Sequence, residues 1–311
     1  MDYGSGAYRY ELVDGWANVT EDESFRDVGS VCVDEDDEVL VLNHGNHPMV
    51  RCDAAGDVVS TWGEGHFSNR PHGMGLGPSG NVYCTDDGDH TVRKFTPDGE
   101  LLLTLGTENE PSETGYRHVP DLFEQIASLD RSAGTFNRPT GVTVLDSGEI
   151  FVADGYGNAR VHRFGPDGEH LHSWGQPGPN RGEFRIPHSI HHDVEDRIWV
   201  TDRENSRIQI FDADGEFLEE WIDVIRPTDL FIGEEAVFVA ELCRRISVFT
   251  HDGELLSRWG NEQHPEDDPL FVAPHTIAAD SAGDLYVGEV SYTYKGIDRG
   301  ARTIQKFERI D

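Results

Sequence analysis

Short runs of alternating apolar and polar residues recur along the chain, separated by turns rich in glycine and aspartate. Alternation with a period of two, bounded by such turns, predicts antiparallel β-strands. Six stretches align on this pattern: DVGSVCVDEDDEVLVLN from residue 27, RPHGMGLGPSGNVYCTD from 70, RPTGVTVLDSGEIFVAD from 138, IPHSIHHDVEDRIWVTD from 186, RPTDLFIGEEAVFVAE from 226 and APHTIAADSAGDLYVGE from 273. In most copies a third run and a DG turn follow, so each copy predicts a unit of four antiparallel strands.

Six such units predict an all-β fold. A four-stranded sheet with two apolar faces cannot bury both faces alone, so copies of about 40 residues are expected to stack into a six-bladed β-propeller. The predicted blade cores lie near 27–63, 70–106, 138–175, 186–221, 226–260 and 273–311. An open or seven-bladed ring is the alternative, but a seventh copy is not found. We therefore predict a single propeller domain over residues 1–311.

Three segments fall outside this repeat. The sixth copy has no clear fourth strand, and we expect the segment YRYELVDGW at 8–16 to complete it and close the ring. Insertions occupy 107–136 and 291–302. In the first insertion, the spacing of Leu122, Ile126 and Leu129 suits a short amphipathic helix. Otherwise both insertions are expected to be loops, and either is a candidate lid over one face of the ring.

The chain is strongly acidic. Its 59 Asp and Glu residues outnumber 25 Lys and Arg residues, and the resulting formal net charge of −34 repels phosphate backbones and anionic lipid headgroups. We therefore expect neither nucleic acid nor a membrane as a partner. Only three of the basic residues are lysines, and this acid-rich, lysine-poor balance resembles the proteins of salt-loving archaea: Lys94, Lys295 and Lys306.

Hydrophobicity and cysteine spacing indicate the cellular compartment of the protein. Its apolar runs stay well short of the twenty residues of a spanning helix, and its first residues lack the order of a secretory signal. We expect a cytoplasmic monomer. The four cysteines show no CxxC spacing and are predicted to be free thiols: Cys32, Cys52, Cys84 and Cys243.

One column of the repeat carries the main chemical signal. At the start of each innermost strand it reads Gly29, His72, Thr140, His188, Thr228 and His275. Alternate blades of a six-bladed ring stand about 120° apart around the axis, so the three histidines are expected to converge on one point. The second strand of each of these three copies ends in an acid fourteen residues after the histidine: Asp86, Asp202 and Glu289. The equal spacing indicates that the strands pair in the same register in all three copies. The column predicts a metal site.

Three neutral imidazoles with an open fourth position suit zinc, with iron, cobalt or copper as competitors. A zinc ion so held acts as a Lewis acid on a substrate oxygen or lowers the pKa of a bound hydroxyl or water, and spacing alone does not choose between these roles. The alternative is that the histidines only cap strands and bond to neighbouring backbone.

The turn after the second strand lies on the same side of each sheet and reads NHGNHP, DDGDHT, DGYGNAR and DRENSR in the first four copies. Tyr156 offers a phenol that can take a proton, and Arg203 offers a bidentate clamp for a carboxylate. His44 and His47 add polar contacts. We predict that Tyr156, Arg203 and His44 face a substrate at the metal. The alternative is that each packs as an ordinary turn residue.

These motifs resemble the NHL-repeat propellers, and within them the peptidyl-alpha-hydroxyglycine alpha-amidating lyases. The likeness covers nearly the whole chain and is sharpest in RPHGMGLGPSGNVYCTD, FNRPTGVTV, FVADGYGNARVHRFGPDGEHLHSWG, FRIPHSI and VTDRENSRIQIF. The resemblance implies that His72, His188 and His275 bind zinc and that Tyr156 is the base, with Arg203 beside it. It also implies cleavage of a carbinolamide to a primary amide and glyoxylate.

The chain departs from the family pattern at several positions. His44 replaces a family arginine that helps to hold the substrate. Thr276 stands where the family has a carboxylate for a structural calcium, so calcium on the carbonyls of Val31 and Met74 is not expected to be fully ligated. The family has a disulfide between two positions that are occupied here by Asn137 and Gly157. Its absence agrees with a reducing compartment.

Three hypotheses follow. The first is a zinc-dependent lyase of the amidating type, acting on a peptide or a small carbinolamine. The second is a non-catalytic NHL-type propeller that serves as a scaffold for a protein partner, with structural histidines. The third is a lactonase-like hydrolase, which ranks last because such propellers hold an axial calcium with Asp, Asn and Glu, whereas this column supplies histidine.

Overall fold

A computed structural model describes residues 1–310, apart from the side chain of Gln263. The chain is a six-bladed β-propeller of six antiparallel sheets, as the repeat predicts. Asp311, where the last predicted blade core ends, lies outside the described residues.

The strands follow one another in the order of the repeat. The N-terminal strands and the first two sheets comprise β1 (Asp2–Ser5), β2 (Tyr8–Val13), β3 (Val28–Val33), β4 (Val39–Asn43), β5 (Met49–Cys52), β6 (Val58–Trp62), β7 (Pro71–Leu76), β8 (Val82–Asp86), β9 (Thr91–Phe95) and β10 (Leu101–Leu105). The next two sheets comprise β11 (Gly141–Val144), β12 (Ile150–Asp154), β13 (Arg160–Phe164), β14 (His170–Trp174), β15 (Pro187–His192), β16 (Ile198–Asp202), β17 (Arg207–Phe211) and β18 (Phe217–Trp221). The last two comprise β19 (Pro227–Ile232), β20 (Val237–Glu241), β21 (Arg245–Phe249), β22 (Leu255–Gly260), β23 (Pro274–Ala279), β24 (Leu285–Glu289) and β25 (Ile304–Ile310).

The N-terminal segment completes the sixth sheet. Strand β2 pairs antiparallel with β25, which confirms the predicted closing strand. Two details differ from the prediction. The strand ends at Val13 and not at residue 16, because Asp14 and Gly15 form a turn in which Gly15 has a φ of 66°. Strand β1 then pairs with β2, so the sixth sheet has five strands.

The two insertions contain short helices. In the first, α1 (Leu122–Ala127) begins after Asp121, whose side chain accepts a hydrogen bond from the backbone of Glu124. The second is not purely a loop, because α2 (Ser291–Lys295) and a 3-10 turn at Gly300–Thr303 lie in it. The remaining 3-10 turns are Pro78–Gly80, Arg203–Asn205 and Asn261–Gln263. Within residues 1–310, every helix is too short or too polar to cross a membrane.

Burial differs between the strands of each sheet. The second strand is buried along its full length in all six sheets, whereas most fourth strands are largely exposed. The second strands therefore read as continuous apolar runs, because both of their faces are covered.

The residue contacts divide the chain into two compact units, Met1–His66 with the chain from Pro227 onward, and Phe67–Arg226. Each unit contains apolar cores between successive sheets. In the first unit, one core packs around Trp259 and Phe307 and another around Trp16 and Tyr286. In the second unit, the cores are centred on Phe136 with Phe164 and on Phe151 with Phe211. The prediction of a single domain over 1–311 stays a prediction.

Candidate active site

The three column histidines occupy the same position in their strands. Each is the second residue of the first strand of its sheet and follows a proline: His72 in β7, His188 in β15 and His275 in β23. In each sheet the proline pairs with the acid that ends the second strand, and the pairing register shifts directly afterwards. A bulge of this kind turns a side chain away from the regular strand face.

The acids at the ends of the second strands have a structural role. The carboxylate of Asp86 accepts the backbone N–H of Ser68 at 2.6 Å, and that of Asp202 accepts the N–H of Arg185 at 2.7 Å. Glu289 holds the chain before β23 in the same way. Burial raises the pKa of all three carboxyl groups. The acids therefore fix the segment that enters each histidine strand, as the equal spacing in the sequence indicates.

Backbone carbonyls fix the orientation of two of the imidazole rings. Nδ1 of His72 donates to the carbonyl of Thr140 at 2.7 Å, and Nδ1 of His275 donates to the carbonyl of Gly29 at 2.8 Å. Thr140 and Gly29 belong to the same repeat column as the histidines. With the proton on Nδ1, Nε2 presents a lone pair, which is the form that binds a metal. Burial lowers the pKa of His72 to about 4, so its ring is neutral near pH 7.

The three histidines are candidate metal ligands. Each is buried and offers one ring nitrogen, and the ring centroids of His72 and His188 are 4.8 Å apart. For His72 the bond from Nδ1 to backbone agrees with the alternative foreseen from the sequence, and it places the lone pair of the ring on Nε2. The donor set of three buried imidazoles suits zinc and its first-row competitors.

Tyr156 lies directly beside two of these rings. Its hydroxyl oxygen is 3.1 Å from Nε2 of His72 and 3.3 Å from Nε2 of His188. The turn that carries it depends on glycine, because a Cβ on Gly155 would lie 2.1 Å from the carbonyl oxygen of Pro187. Tyr156 thus lies beside His72 and His188, and its role toward a substrate stays a prediction.

Two guanidinium groups flank the phenol ring of Tyr156. Nη1 of Arg203 is 3.2 Å from the hydroxyl oxygen, and its Cζ is 5.3 Å from the ring centroid. The Cζ of Arg138 is 4.8 Å from the same centroid. Burial alone would lower the pKa of Arg203, but Tyr156 and Glu204 raise it above its usual value, so this group stays charged. Two positively charged groups therefore lie close to this phenol.

Arg138 belongs to a buried ion network that the sequence reading missed. The carboxylate of Asp87 accepts hydrogen bonds from Nη2 of Arg70 at 2.9 Å and from Nη2 of Arg138 at 3.1 Å. Burial alone would raise the pKa of Asp87, but Arg138 and Arg70 hold it well below its usual range. A signal was present in the repeat, since an Arg-Pro pair opens three of the six copies.

The first insertion reaches this network. Nη1 of Arg138 donates to the hydroxyl of Tyr116 at 2.6 Å, and that hydroxyl donates to Gln125 of α1, also at 2.6 Å. The sequence predicted a short helix within 107–136 and otherwise a loop or lid, but no contact of this insertion with an arginine. The tertiary contacts show that it holds an arginine beside Tyr156.

The two positions that depart from the family pattern have partners of their own. His44 lies against Asp27, with Nδ1 3.5 Å from a carboxylate oxygen. Thr276 accepts the backbone N–H of Val31 at 3.0 Å and donates to Asp229 at 2.8 Å. The prediction that His44 faces the substrate stays a prediction, and so does incomplete calcium ligation near Thr276.

The structure also describes the four cysteines and the two positions at which the resemblance implies a disulfide. Within residues 1–310 no disulfide joins the cysteines, as predicted: Cys32, Cys52, Cys84 and Cys243. Asn137 and Gly157, which replace the cysteines implied by the resemblance, are joined instead by a hydrogen bond of 2.9 Å from the N–H of Gly157 to the carbonyl of Asn137.

Comparison with known proteins finds a similar repeat family and a similar solved fold. Residues 136–164 and 184–211, in the third and fourth sheets, match the NHL repeat. The fold is also that of streptogramin B lyase, with a TM-score of 0.62 over 98% of this chain and 99% of that one. The identity to that structure is 16%, so this likeness concerns the fold alone.

Closer relatives exist by sequence. The chain is 36% identical over 170 residues to peptidyl-alpha-hydroxyglycine alpha-amidating lyase 1 of Drosophila melanogaster, a match that covers 51% of this chain and 28% of the fly protein. It is also 36% identical over 161 residues to NHL repeat-containing protein 3 of Mus musculus, covering 49% of this chain and 42% of the mouse protein. The matches thus span less than half the length of these relatives.

Proposed function

We propose that the chain is a metal-dependent carbon–nitrogen lyase that cleaves an α-hydroxyglycine-type amide into a primary amide and glyoxylate. The observation that carries this proposal is the position of the Tyr156 hydroxyl, 3.1 Å from Nε2 of His72 and 3.3 Å from Nε2 of His188. A proton acceptor and two metal-ligand atoms thus converge on one place. The similarity to the fly amidating lyase supports the same reaction.

His72, His188 and His275 would hold the metal through one ring nitrogen each. When bound there, a zinc ion supplies a Lewis acid that polarises a substrate oxygen. The fit rests on the donor set, because His72 and His275 both donate from Nδ1 to a carbonyl, which places the lone pair of each ring on Nε2.

The remaining steps belong to the side chains. In its deprotonated form, the Tyr156 oxygen takes the proton of the substrate hydroxyl. The carbon–oxygen bond becomes a carbonyl as the carbon–nitrogen bond breaks, and its electron pair leaves with the nitrogen, which takes up a proton. The products are the amide and glyoxylate, so atoms and charge balance. Arg203, whose Nη1 is 3.2 Å from the Tyr156 oxygen, holds the phenol in position.

The test combines elemental analysis with an activity assay. Wild type, His188→Ala and the control His172→Ala are purified in concentrated salt, their bound metal is measured, and glyoxylate release from a hydroxyglycine-capped peptide is followed. His172 is an exposed histidine in β14. We expect metal and glyoxylate release in wild type and the control, and loss of both in His188→Ala.

The other outcomes separate the hypotheses. Metal absent from all three proteins would overturn the enzyme proposal and leave the scaffold function. Metal without glyoxylate release would keep the metal site and overturn the substrate. Iron, cobalt or copper in place of zinc would change only the identity of the ion.

A further inference from the structure

A cavity of about 350 Å³ lies beside helix α1. The insertion contributes Phe123, Ile126 and Leu129 to its wall, and the chain before β15 contributes Pro177 and Phe184. Its volume is at the lower end of the range for small-molecule pockets, about 300–1,000 Å³. The cavity is therefore large enough for one bulky group and has an apolar wall to receive it.

One residue of the cavity wall contacts a candidate catalytic side chain. Glu204 lines it, and Oε1 of Glu204 accepts a hydrogen bond from Nε of Arg203 at 2.9 Å. The same guanidinium contacts the Tyr156 hydroxyl at 3.2 Å. Consecutive residues of a peptide advance by about 3.8 Å, so a group one or two residues from the reacting bond can reach this wall.

Charge in the cavity favours an uncharged occupant. Glu204 is paired with Arg203 and with Arg226, whose Nη2 is 2.7 Å from Oε1. Burial alone would raise the pKa of Glu204, but these two arginines lower it, so the carboxylate is ionised and neutralised. The exposed Arg185 also lines the cavity and disfavours a cationic group.

The apolar wall is incompletely covered. Phe123 exposes 71% of its surface although it lines the cavity. Covering such a ring with an apolar group removes both surfaces from water, which is favourable in proportion to the buried area. An apolar side chain thus gains most from binding here.

We infer that this cavity is a subsite for a bulky apolar side chain on the acyl side of the scissile amide. This inference rests on the proposed lyase function and adds its substrate class: a hydroxyglycine-capped acyl amino acid whose side chain is large and uncharged. Helix α1 is then a specificity element, not only an inserted loop.

The test compares three substrates, in which N-acetylglycine, N-acetylleucine or N-acetylphenylalanine is linked to α-hydroxyglycine. Burial of a large side chain corresponds to a factor of about 10 to 100, so kcat/KM is expected to rise by that factor from the glycyl to the phenylalanyl substrate. Ala127→Trp fills the cavity from its wall and is expected to abolish the preference, so that the three substrates react with similar kcat/KM. Glu124→Trp adds the same side chain to α1 at an exposed residue outside the cavity wall and is expected to keep the preference.

Binding of N-acetylphenylalaninamide, measured by calorimetry against N-acetylglycinamide, gives a readout that does not need turnover. Equal rates on all three substrates would overturn the subsite and leave the lyase standing. Absence of turnover, with N-acetylphenylalaninamide bound by wild type and Glu124→Trp but not by Ala127→Trp, would overturn the lyase and keep an apolar binding site. Absence of both turnover and binding would overturn both.

Discussion

At the scale of single residues, Tyr156 is distinguished by the charges around it. Its hydroxyl lies beside two imidazole nitrogens, and guanidinium groups flank its ring. The sequence alone suggested the phenol and one of the cations, Arg203. The role of Arg138 could not be predicted from the residues next to it in sequence. Its partners Asp87 and Tyr116 lie 51 and 22 positions away along the chain.

Replacing Tyr156 by Phe removes the proton acceptor and leaves the ring. We expect the rate of glyoxylate release to fall by about 100-fold or more, the usual contribution of a general base. Bound metal should stay unchanged, because the imidazole ligands remain. Tyr292→Phe, a change at an exposed tyrosine of α2, serves as the control. Unchanged activity in Tyr156→Phe would assign the base to another group.

Replacing Asp87 by Asn should destabilise the fold. The change leaves Arg70 and Arg138 without their carboxylate, and breaking a buried ion pair costs about 3–5 kcal/mol. The free energy of unfolding at pH 7 measures this, with Asp98→Asn in an exposed turn as the control.

The same variant has an expected pH dependence. The pKa of Asp87 is lower in the folded state than in an unfolded chain, so its contribution is complete above about pH 4 and is lost as the pH falls toward the folded-state value. The difference between wild type and Asp87→Asn should therefore be largest near neutral pH and narrow in acid. A constant difference down to pH 2 would contradict the assignment.

At the scale of elements, the N-terminal strand joins the two ends of the chain. Strand β2 pairs with β25 along five residues, from Arg9 opposite Ile310 to Val13 opposite Lys306. Tyr10, fully buried on β2, stacks on Trp259 with ring centroids 5.3 Å apart. The sequence anticipated this strand because the sixth copy lacked one, but it did not anticipate β1, which has no counterpart in the repeat.

Tyr10→Ala should cost about 3–5 kcal/mol of unfolding free energy, the range for removing a buried aromatic ring. Denaturant unfolding monitored by tryptophan fluorescence tests this, since Trp259 reports on the same core. Replacing the exposed Tyr294 by Ala should change the stability by less than about 1 kcal/mol. Equal losses in the two variants would show that β2 does not contribute to the folded core.

At the scale of the whole molecule, charge dominates. A formal net charge of −34 on 311 residues gives strong self-repulsion, which opposes the compact state. Added salt screens this repulsion, since the screening length falls from about 10 Å at 0.1 M to about 3 Å at 1 M.

The melting temperature should therefore rise between 0.1 M and 1 M KCl, by about 2–3 °C if screening recovers about one to two kcal/mol. Scanning calorimetry measures this shift, and sucrose at matched osmolality controls for effects other than screening. A melting temperature that stays flat or falls with KCl would contradict the expectation.

The sequence by itself determined the six sheets, the closing strand and the histidine column. Period-two alternation and equal spacing within the repeat are local properties, and they fix strand register without knowledge of the fold. Only the tertiary structure decided the Arg70–Asp87–Arg138 network, the contact of Tyr116 with it, and the cavity beside α1. These depend on where insertions and separate sheets meet. The Arg-Pro pairs of the repeat mark two of the arginines, but a local pattern does not record which distant residues they contact.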